Sequence, residues 1–478
     1  MFLRRISGTY FMSKRQLNLF DLSMIVVSLV IGMGIFRTPV VAAARAGTPG
    51  IFFAAWALGG VIALCGALTY AEIGSRYPVT GAYYKIFSLG YHPSLAFSIN
   101  CIELVSNAGS TALVGVVGAE YIGHFFYSGP VPPAFRGGVT AAAVAVFYII
   151  NLMGLKMSSR VQNILTLIKL LLILLLLASV FGTHPLPVPV SGTAGAAGVT
   201  GAANVTGGTA GGGHLFDFIR AIGFALVAVS FSYGGYQQTI NFGGEVKDAG
   251  RIIPRGIGYG IAIIITLYLA LNFVYVQVIG FHNLQTADSI AAQLMGHLFG
   301  PAGDALLRCL MFFSVLAYVN VSVMSNPRVM FAMSEEKILP AIFKKTTRRH
   351  GVIIWSLTAF SSAIVLTLVF TSAVERMIDY TIFLDSIAFV FSASSLFILR
   401  KRKMGEDRAI YRMKGYPWIP GFFILAYLSI TISVAVSDPE SALYCVYIFA
   451  IFFILYFILR FLNKSQRTPE AFRPKARH

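Results

Sequence analysis

Long runs of apolar residues follow one another along this chain, and short polar segments separate them. A helix needs about 20 apolar residues to cross the roughly 30 Å of hydrocarbon in a bilayer, and most of the runs have this length. The pattern therefore predicts an all-α membrane protein with twelve transmembrane helices. The predicted spans are 18–42, 51–75, 93–123, 138–156, 160–181, 215–243, 254–281, 302–334, 350–371, 376–400, 417–436 and 441–462.

The predicted spans divide the chain into segments with different roles. Residues 1–17 and 463–478 lie outside the spans and are basic, whereas 18–400 holds ten spans and 401–462 holds the last two. Between the fifth and sixth spans, residues 182–214 are rich in glycine, alanine, threonine, valine and proline. Such low-complexity composition predicts a flexible loop.

Composition and charge agree with a membrane protein. The chain is 56% hydrophobic and 12% charged, whereas soluble domains carry about 25% charged residues. Its net charge of +18 could indicate a nucleic-acid partner. With alternating spans, however, 30 lysines and arginines fall on the side of the N-terminus and six on the other side. By the positive-inside rule, we predict a multi-pass cell-membrane protein with both termini cytoplasmic, the loop 182–214 outside and no nucleic-acid partner.

Two spans contain paired glycines near the middle of the membrane. Gly32 and Gly34 lie in the first span, and Gly234 and Gly235 lie in the sixth. Glycine weakens a helix by about 1 kcal/mol relative to alanine, although close helix packing through small residues is an alternative explanation. Each of these spans opens a set of five, and the two sets have opposite orientations. Interrupted helices at matching places in inverted halves predict a substrate site at the membrane midplane.

Five short segments, listed here in chain order, carry a resemblance to a known family of membrane proteins. They are Gly32-Met-Gly34-Ile-Phe36, Tyr70-Ala-Glu72-Ile-Gly74, Phe231-Ser-Tyr-Gly-Gly-Tyr236, Phe331-Ala-Met-Ser334 and Tyr411-Arg-Met-Lys-Gly-Tyr-Pro417. From about Gln16 to Leu462 the chain resembles the amino acid–polyamine–organocation (APC) superfamily, and within it the L-type amino acid transporter-like bacterial permeases. The resemblance implies a LeuT-type fold of two inverted five-helix repeats plus two helices, and transport by alternating access.

The resemblance also implies how an amino acid is held at the two glycine breaks. The N-terminus of a half-helix offers free N–H groups and a positive dipole end to a carboxylate, and a half-helix C-terminus offers carbonyls to an ammonium. The N–H groups of Met33 and Gly34 are expected to bind the carboxylate, beside Gly32. The ammonium is expected at the carbonyls of Val30, Phe231, Ser232 and Gly234, which leaves the Ser232 hydroxyl without a role.

Because backbone recognition needs no charged side chain, a neutral L-amino acid is the predicted substrate. A polyamine or organic-cation permease of the same fold is the alternative. A channel or a membrane-embedded enzyme is the hypothesis from a different functional class. The four cysteines lack metal or disulfide spacing, and no catalytic motif such as HExxH or GxSxG occurs. No cofactor, metal or enzymatic activity is therefore predicted.

Several further residues are candidates for coupling and gating. By the resemblance, the aromatic ring of Phe231 gates the pocket from outside, and Tyr236 stands where relatives often carry tryptophan. Lys169 lies deep in the fifth span and, by the resemblance, matches a lysine of sodium-independent relatives. The alternative is a lysine without a coupling role, whose ammonium snorkels to the membrane surface. In the first case, its ammonium is expected to donate to carbonyls near Gly32 and to Asn320 or Ser322. This position predicts sodium-independent transport, by exchange or by proton coupling.

Four of the acidic residues that lie within the predicted spans or near their ends each have two explanations. Glu103 and Asp385 lie deep in spans, where either structural pairing or a transport role would explain them. Glu72 and Glu245 lie near inner ends of spans, as inner-gate salt bridges or as simple interfacial charges. Some relatives join a heavy chain through a cysteine in an outer loop, but residues 124–137 contain none. The predicted partners are thus the amino acid substrate and the lipid bilayer, without a heavy chain.

Overall fold

A computed structural model describes residues 16–32, 34–183, 214–287, 290–300, 302–347, 350–406, 410–437 and 439–465. These residues form seventeen α-helices: α1 Leu19–Val30, α2 Gly34–Ala46, α3 Pro49–Arg76, α4 Ala82–Gly90, α5 Pro93–Gly123, α6 Pro133–Leu152, α7 Leu155–Ala178, α8 His214–Tyr233, α9 Ala249–Ile279, α10 Phe281–Leu284, α11 Ile290–Phe299, α12 Ala302–Ser325, α13 Pro327–Glu335, α14 Ile354–Thr367, α15 Thr371–Lys401, α16 Trp418–Ser437 and α17 Pro439–Ser465. Most of the segments 1–17, 182–214 and 463–478 lie outside the described residues.

The described part of the chain is all-helical and spans a membrane several times. Nine of its helices are long and apolar enough to cross a bilayer, and α1 and α2 together raise the number to ten. The other two predicted spans coincide with α8 and with α14, which has 14 residues. Two isolated β-bridges are the only extended pairings within the described ranges. The all-α prediction is therefore confirmed at the level of nine to ten spans.

Local sequence determines where the helices next to the site begin. Asn18 caps α1 because its side chain accepts from the N–H of Asp21 at 2.9 Å, and the Asp21 carboxylate accepts from the N–H of Asn18 at 3.1 Å. Thr48 caps α3, and Pro49 follows at a position where a helix needs no N–H. These caps set the starts of α1 and α3, which both pack against α9.

Three aromatic rings from α3, α8 and α9 pack together next to the second helix break. Trp56 of α3, Tyr233 of α8 and Tyr268 of α9 are buried, with ring centroids 5.1–5.9 Å apart. Gly59 lets α3 approach α8 closely, since a Cβ atom there would lie 2.5 Å from Val229. The cluster therefore holds the end of α8 against the interior of α3 and α9 in a dense, apolar environment.

Candidate substrate and coupling site

The first span is broken between α1 and α2, and the axes of these two helices differ by 45°. The N–H of Ile31 still donates to the carbonyl of Val27, and that of Gly32 donates to Val30, both at 2.8 Å. Met33 lies outside the described residues. A second helix begins at Gly34, and the N–H groups of its first turn have no acceptor within the helix. The predicted break in this span is present, and the N-terminus of α2 lies at it.

The sixth span is broken after Tyr233, where a 3₁₀ helix of residues Tyr236–Asn241 replaces the α-helix. The N–H of Gly234 donates to the carbonyl of Phe231 at 3.3 Å. Gly235 has a φ of +107°, and a Cβ atom there would lie 2.4 Å from the carbonyl oxygen of Leu29. Only glycine suits this backbone and this approach. The second break therefore lies directly against the end of α1.

The hydroxyl of Tyr268 joins the two breaks. It lies 3.3 Å from the carbonyl oxygen of Val30 and 3.1 Å from that of Ser232. The tyrosine is fully buried on α9. The single proton of this hydroxyl serves one of the two carbonyls at a time. The carbonyl of Val30 also accepts from the N–H of Gly32, whereas the carbonyl of Ser232 keeps a lone pair for a second donor. No motif marked Tyr268, because it is one of 22 tyrosines and lies in an apolar helix.

The start of α2 faces the end of α8. A Cβ atom built on Gly34 would lie 3.0 Å from Oγ of Ser232 and 3.4 Å from its Cα. A Cβ atom on Gly32 would meet nothing within 4 Å, so Gly32 borders open space. The structure thus brings Val30, Gly34 and Ser232 together, as the sequence predicted for a shared site. The function of these groups stays a prediction.

The two aromatic residues of the sixth span have different environments. Phe231 is 47% exposed, so its ring stands outside the core and its gating role stays a prediction. Tyr236 is fully buried, with its ring centroid 5.9 Å from Tyr70 and 6.3 Å from Phe389. Its hydroxyl has no hydrogen-bond partner in the part of the chain that the structure describes. Tyr236 therefore packs between α3 and α15.

Lys169 is fully buried, and its ammonium donates to the carbonyl of Ile31 at 2.6 Å. This contact lies beside Gly32, as predicted. The predicted contact with Asn320 or Ser322 was wrong for the described residues. The side-chain oxygen of Asn320 accepts from Asn151 at 3.3 Å while its nitrogen donates to Gln162 at 2.7 Å, and Ser322 pairs with Thr111 at 2.6 Å. A helix rises 1.5 Å per residue, so Gln162 lies about 10 Å from Lys169 along α7. The amide and not the ammonium is at the depth of Asn320.

Gln162 is a polar junction that the sequence analysis did not single out. Its amide nitrogen donates to the hydroxyl of Ser28 at 2.7 Å and to the carbonyl of Ala317 at 3.1 Å. Its amide oxygen accepts from Asn320. These bonds connect α1, α7 and α12 inside a membrane environment, where a lost partner is costly. Gln162 lies in the polar stretch Ser158-Ser-Arg-Val-Gln-Asn163, so no local signal distinguishes it from its neighbours.

Glu103 connects to the second break through one tyrosine. Its carboxylate accepts from the hydroxyl of Tyr83 at 3.0 Å, and the N–H of Tyr83 donates to Oδ1 of Asn241 at 3.2 Å. Asn241 ends the 3₁₀ helix that follows the break. The carboxylates of Glu103 and Asp385 also interact electrostatically. The two deep acids therefore belong to one cluster, and their role in transport stays a prediction.

Ion pairs lie at the predicted inner ends of the helices. Glu245 pairs with Arg328 at 2.7 Å, and the guanidinium lies 4.3 Å from the ring centroid of Phe242. Glu72 is fully buried and binds Arg76 at 2.8 Å and Arg400 at 2.6 Å. Both acids therefore form ion pairs, and a role of these pairs as an inner gate stays a prediction.

A further layer of contacts joins α4 to the end of α13. Lys85 pairs with Glu335, and the hydroxyl of Tyr84 donates to Glu336 at 3.0 Å. Burial, followed by the charges of Glu336 and Glu335, raises the pKa of Tyr77, which keeps this phenol neutral near the acids. The described ends of α3, α4 and α13 thus form a tightly connected surface.

A multi-span helical chain whose two broken spans meet around free backbone groups has the architecture of a membrane carrier. The model of the amino acid permease family matches residues 17–473, and the chain belongs to that family. It is therefore an amino acid permease and not an enzyme.

The chain is also similar in sequence to individual amino acid transporters. The serine/threonine exchanger SteT of Bacillus subtilis (strain 168) is 28% identical over 446 residues, which cover 90% of this chain and 93% of the exchanger. The branched-chain amino acid permease BcaP of the same organism is 26% identical over 440 residues, or 86% of each chain. The b(0,+)-type amino acid transporter 1 of Mus musculus is 24% identical over 459 residues, which cover 93% of this chain and 88% of that transporter.

Proposed function

We propose that this permease carries neutral L-amino acids across the cell membrane by alternating access, without sodium, by exchange or by proton coupling. The observation that carries the proposal is the meeting of the two helix breaks, where Tyr268 bridges the carbonyls of Val30 and Ser232. Free N–H groups of α2 and carbonyls at the ends of α1 and α8 offer both halves of a zwitterion a partner.

A LeuT-type arrangement of twelve spans in a five-plus-five inverted repeat is part of this proposal. Its support is that the breaks occur at the first and sixth predicted spans, each of which opens a set of five. Cytoplasmic termini follow from the distribution of basic residues. A membrane-impermeant thiol label on intact cells is expected to reach a cysteine placed at Gly201 and to miss one placed at Lys403. The reverse labelling would overturn the orientation.

The relatives and the site support a neutral substrate. Two of the similar proteins are named for serine and threonine and for branched-chain amino acids. The ammonium of Lys169 donates to the carbonyl of Ile31 at the first break, where it is positioned to replace a coupling cation. The neighbouring acids Glu103 and Asp385 favour a second candidate, an organic-cation permease, because acidic residues within spans often mark substrate or ion pathways. The substrate and the lipid bilayer are the proposed partners, without a heavy chain.

Counterflow into proteoliposomes tests this function. Vesicles preloaded with unlabelled L-threonine or L-leucine are expected to take up the labelled amino acid saturably, with the same rate when choline replaces sodium. Empty vesicles and vesicles loaded with putrescine serve as controls and are expected to show no stimulation. Strict sodium dependence would contradict the proposed coupling, and stimulation by putrescine alone would favour the organic-cation permease. Uptake that never saturates would indicate a channel.

A further inference from the structure

The hydroxyl of Ser232 is buried and has no hydrogen-bond partner among the described residues. The residue is only 2% exposed, so water does not satisfy the hydroxyl from the surface. A buried polar group without a partner costs free energy, and such groups are therefore uncommon in folded proteins. An unpaired hydroxyl at the meeting point of two helix breaks indicates that a ligand supplies its partner.

The environment of this hydroxyl indicates the charge of the ligand. Oγ of Ser232 lies 3.0 Å from the position that a Cβ atom would take on Gly34, the first residue of α2. This helix has 13 residues, and the N–H groups of its first turn point toward its N-terminal end without acceptors in the helix. An anion held at this N-terminus therefore comes within reach of the Ser232 hydroxyl.

The backbone and the side chain of Ser232 have separate environments. Its carbonyl oxygen lies 3.1 Å from the hydroxyl of Tyr268, whereas its own hydroxyl, on the side of Gly34, has no partner within the described part of the chain. The carbonyl therefore has a structural partner, and the hydroxyl is available for binding. This differs from the sequence-based expectation, in which only the carbonyl of Ser232 had a role.

We propose that the hydroxyl of Ser232 donates a hydrogen bond to the carboxylate of the bound amino acid. Together with the first-turn N–H groups of α2, it forms a carboxylate subsite that spans both broken helices. The inference rests on the proposed function, because it requires an amino acid between the breaks. It adds a side-chain ligand on the sixth span to a site that the sequence described as backbone only.

The test compares ligands with and without a carboxylate. Ser232→Ala is expected to weaken binding of L-threonine and L-leucine by about tenfold, the effect of removing a hydrogen bond to a charged group. Binding of the matching amino alcohols, L-threoninol and L-leucinol, is expected to be weak and to change less than twofold. Isothermal titration or ligand-induced thermal shift of the purified full-length protein measures both.

Two variants serve as matched controls. Ser230→Ala removes another buried hydroxyl from α8, one that also has no hydrogen-bond partner among the residues described. Residues two apart on a helix point to different faces, so amino acid affinity is expected to stay unchanged. Ser232→Cys keeps the size of the side chain and loses the strong donor, so it is expected to behave like Ser232→Ala. The thermal stability of the ligand-free variants is expected to match that of the wild type.

The outcomes separate this inference from the proposed function. Wild-type affinity in Ser232→Ala, or an equal loss for amino acids and amino alcohols, would overturn the carboxylate subsite. Full affinity in Ser232→Cys with a loss in Ser232→Ala would show a packing role and would overturn it too. If the wild type binds none of the twenty amino acids, the proposed function itself fails, and the inference falls with it.

Discussion

Replacing Gly34 with valine is expected to weaken amino acid binding by about 100-fold or more, which corresponds to about 2.7 kcal/mol. A Cβ atom at this position would already lie 3.0 Å from Oγ and 3.4 Å from Cα of Ser232. The two methyl groups of valine add to this conflict and leave few allowed rotamers. They also fill the space between α2 and α8 that the carboxylate is proposed to occupy.

The size of this effect is measured by titration of the purified variant with the twenty amino acids. Gly223→Val is the matched control, because it places the same side chain on α8 where a Cβ atom meets nothing within 4 Å. Gly34→Ala is expected to fall between the wild type and Gly34→Val. Wild-type affinity of Gly34→Val for every amino acid ligand would place the binding site elsewhere in the protein.

Replacing Lys169 with alanine is expected to lower the transport rate by one to two orders of magnitude while part of the ligand affinity is kept. The ammonium donates to the carbonyl of Ile31 at 2.6 Å, and loss of a buried hydrogen bond to a charged group has about this effect. The lost contact joins α7 to the first break, so the conformational step is expected to suffer more than binding. Adding sodium is not expected to restore the transport rate of the variant.

Counterflow and binding are compared for this variant in sodium and in choline. Lys156→Ala serves as the control, since Lys156 is exposed at the start of the same helix. Its transport rate is expected to equal that of the wild type. Full activity of Lys169→Ala, or a wild type that strictly requires sodium, would contradict the proposed role of Lys169 as a built-in cation.

The helix breaks were predictable from sequence because their cause is local. Paired glycines at Gly32 and Gly34, and again at Gly234 and Gly235, destabilise a helix wherever they occur in a span. The structure adds the reason for one of them, since Gly235 has a positive φ and lies against the carbonyl of Leu29. Most of the long helices were also predictable, because long apolar runs mark them directly. Their bounds were less so, since the predicted span 138–156 corresponds to a helix over Pro133–Leu152.

The contacts within the site were not predictable, because they depend on how distant helices pack. Tyr268 meets Val30 and Ser232 from positions 238 and 36 residues away in the chain. No local pattern distinguishes this tyrosine from others in apolar helices. The surroundings of the Ser232 hydroxyl likewise depend on how the start of α2 packs beside the end of α8, which the sequence does not show.

The error at Asn320 has a simple geometric cause. Sequence places Gln162 and Lys169 on one helix two turns apart, but it does not show which of them is level with Asn320. The structure assigns Gln162 to Asn320 and Lys169 to Ile31. Chemical type alone favoured the lysine, whereas depth along α7 decided the contact.

The most direct test of amino acid recognition between the two helix breaks is a ligand-bound structure by cryo-electron microscopy. With L-threonine or L-leucine bound, a carboxylate oxygen is expected within about 3.2 Å of the Ser232 hydroxyl and of a first-turn N–H of α2. The ammonium is expected beside the carbonyls at the end of α8. Ligand density away from the breaks, or a carboxylate held by the ammonium of Lys169, would contradict backbone-centred recognition at this site.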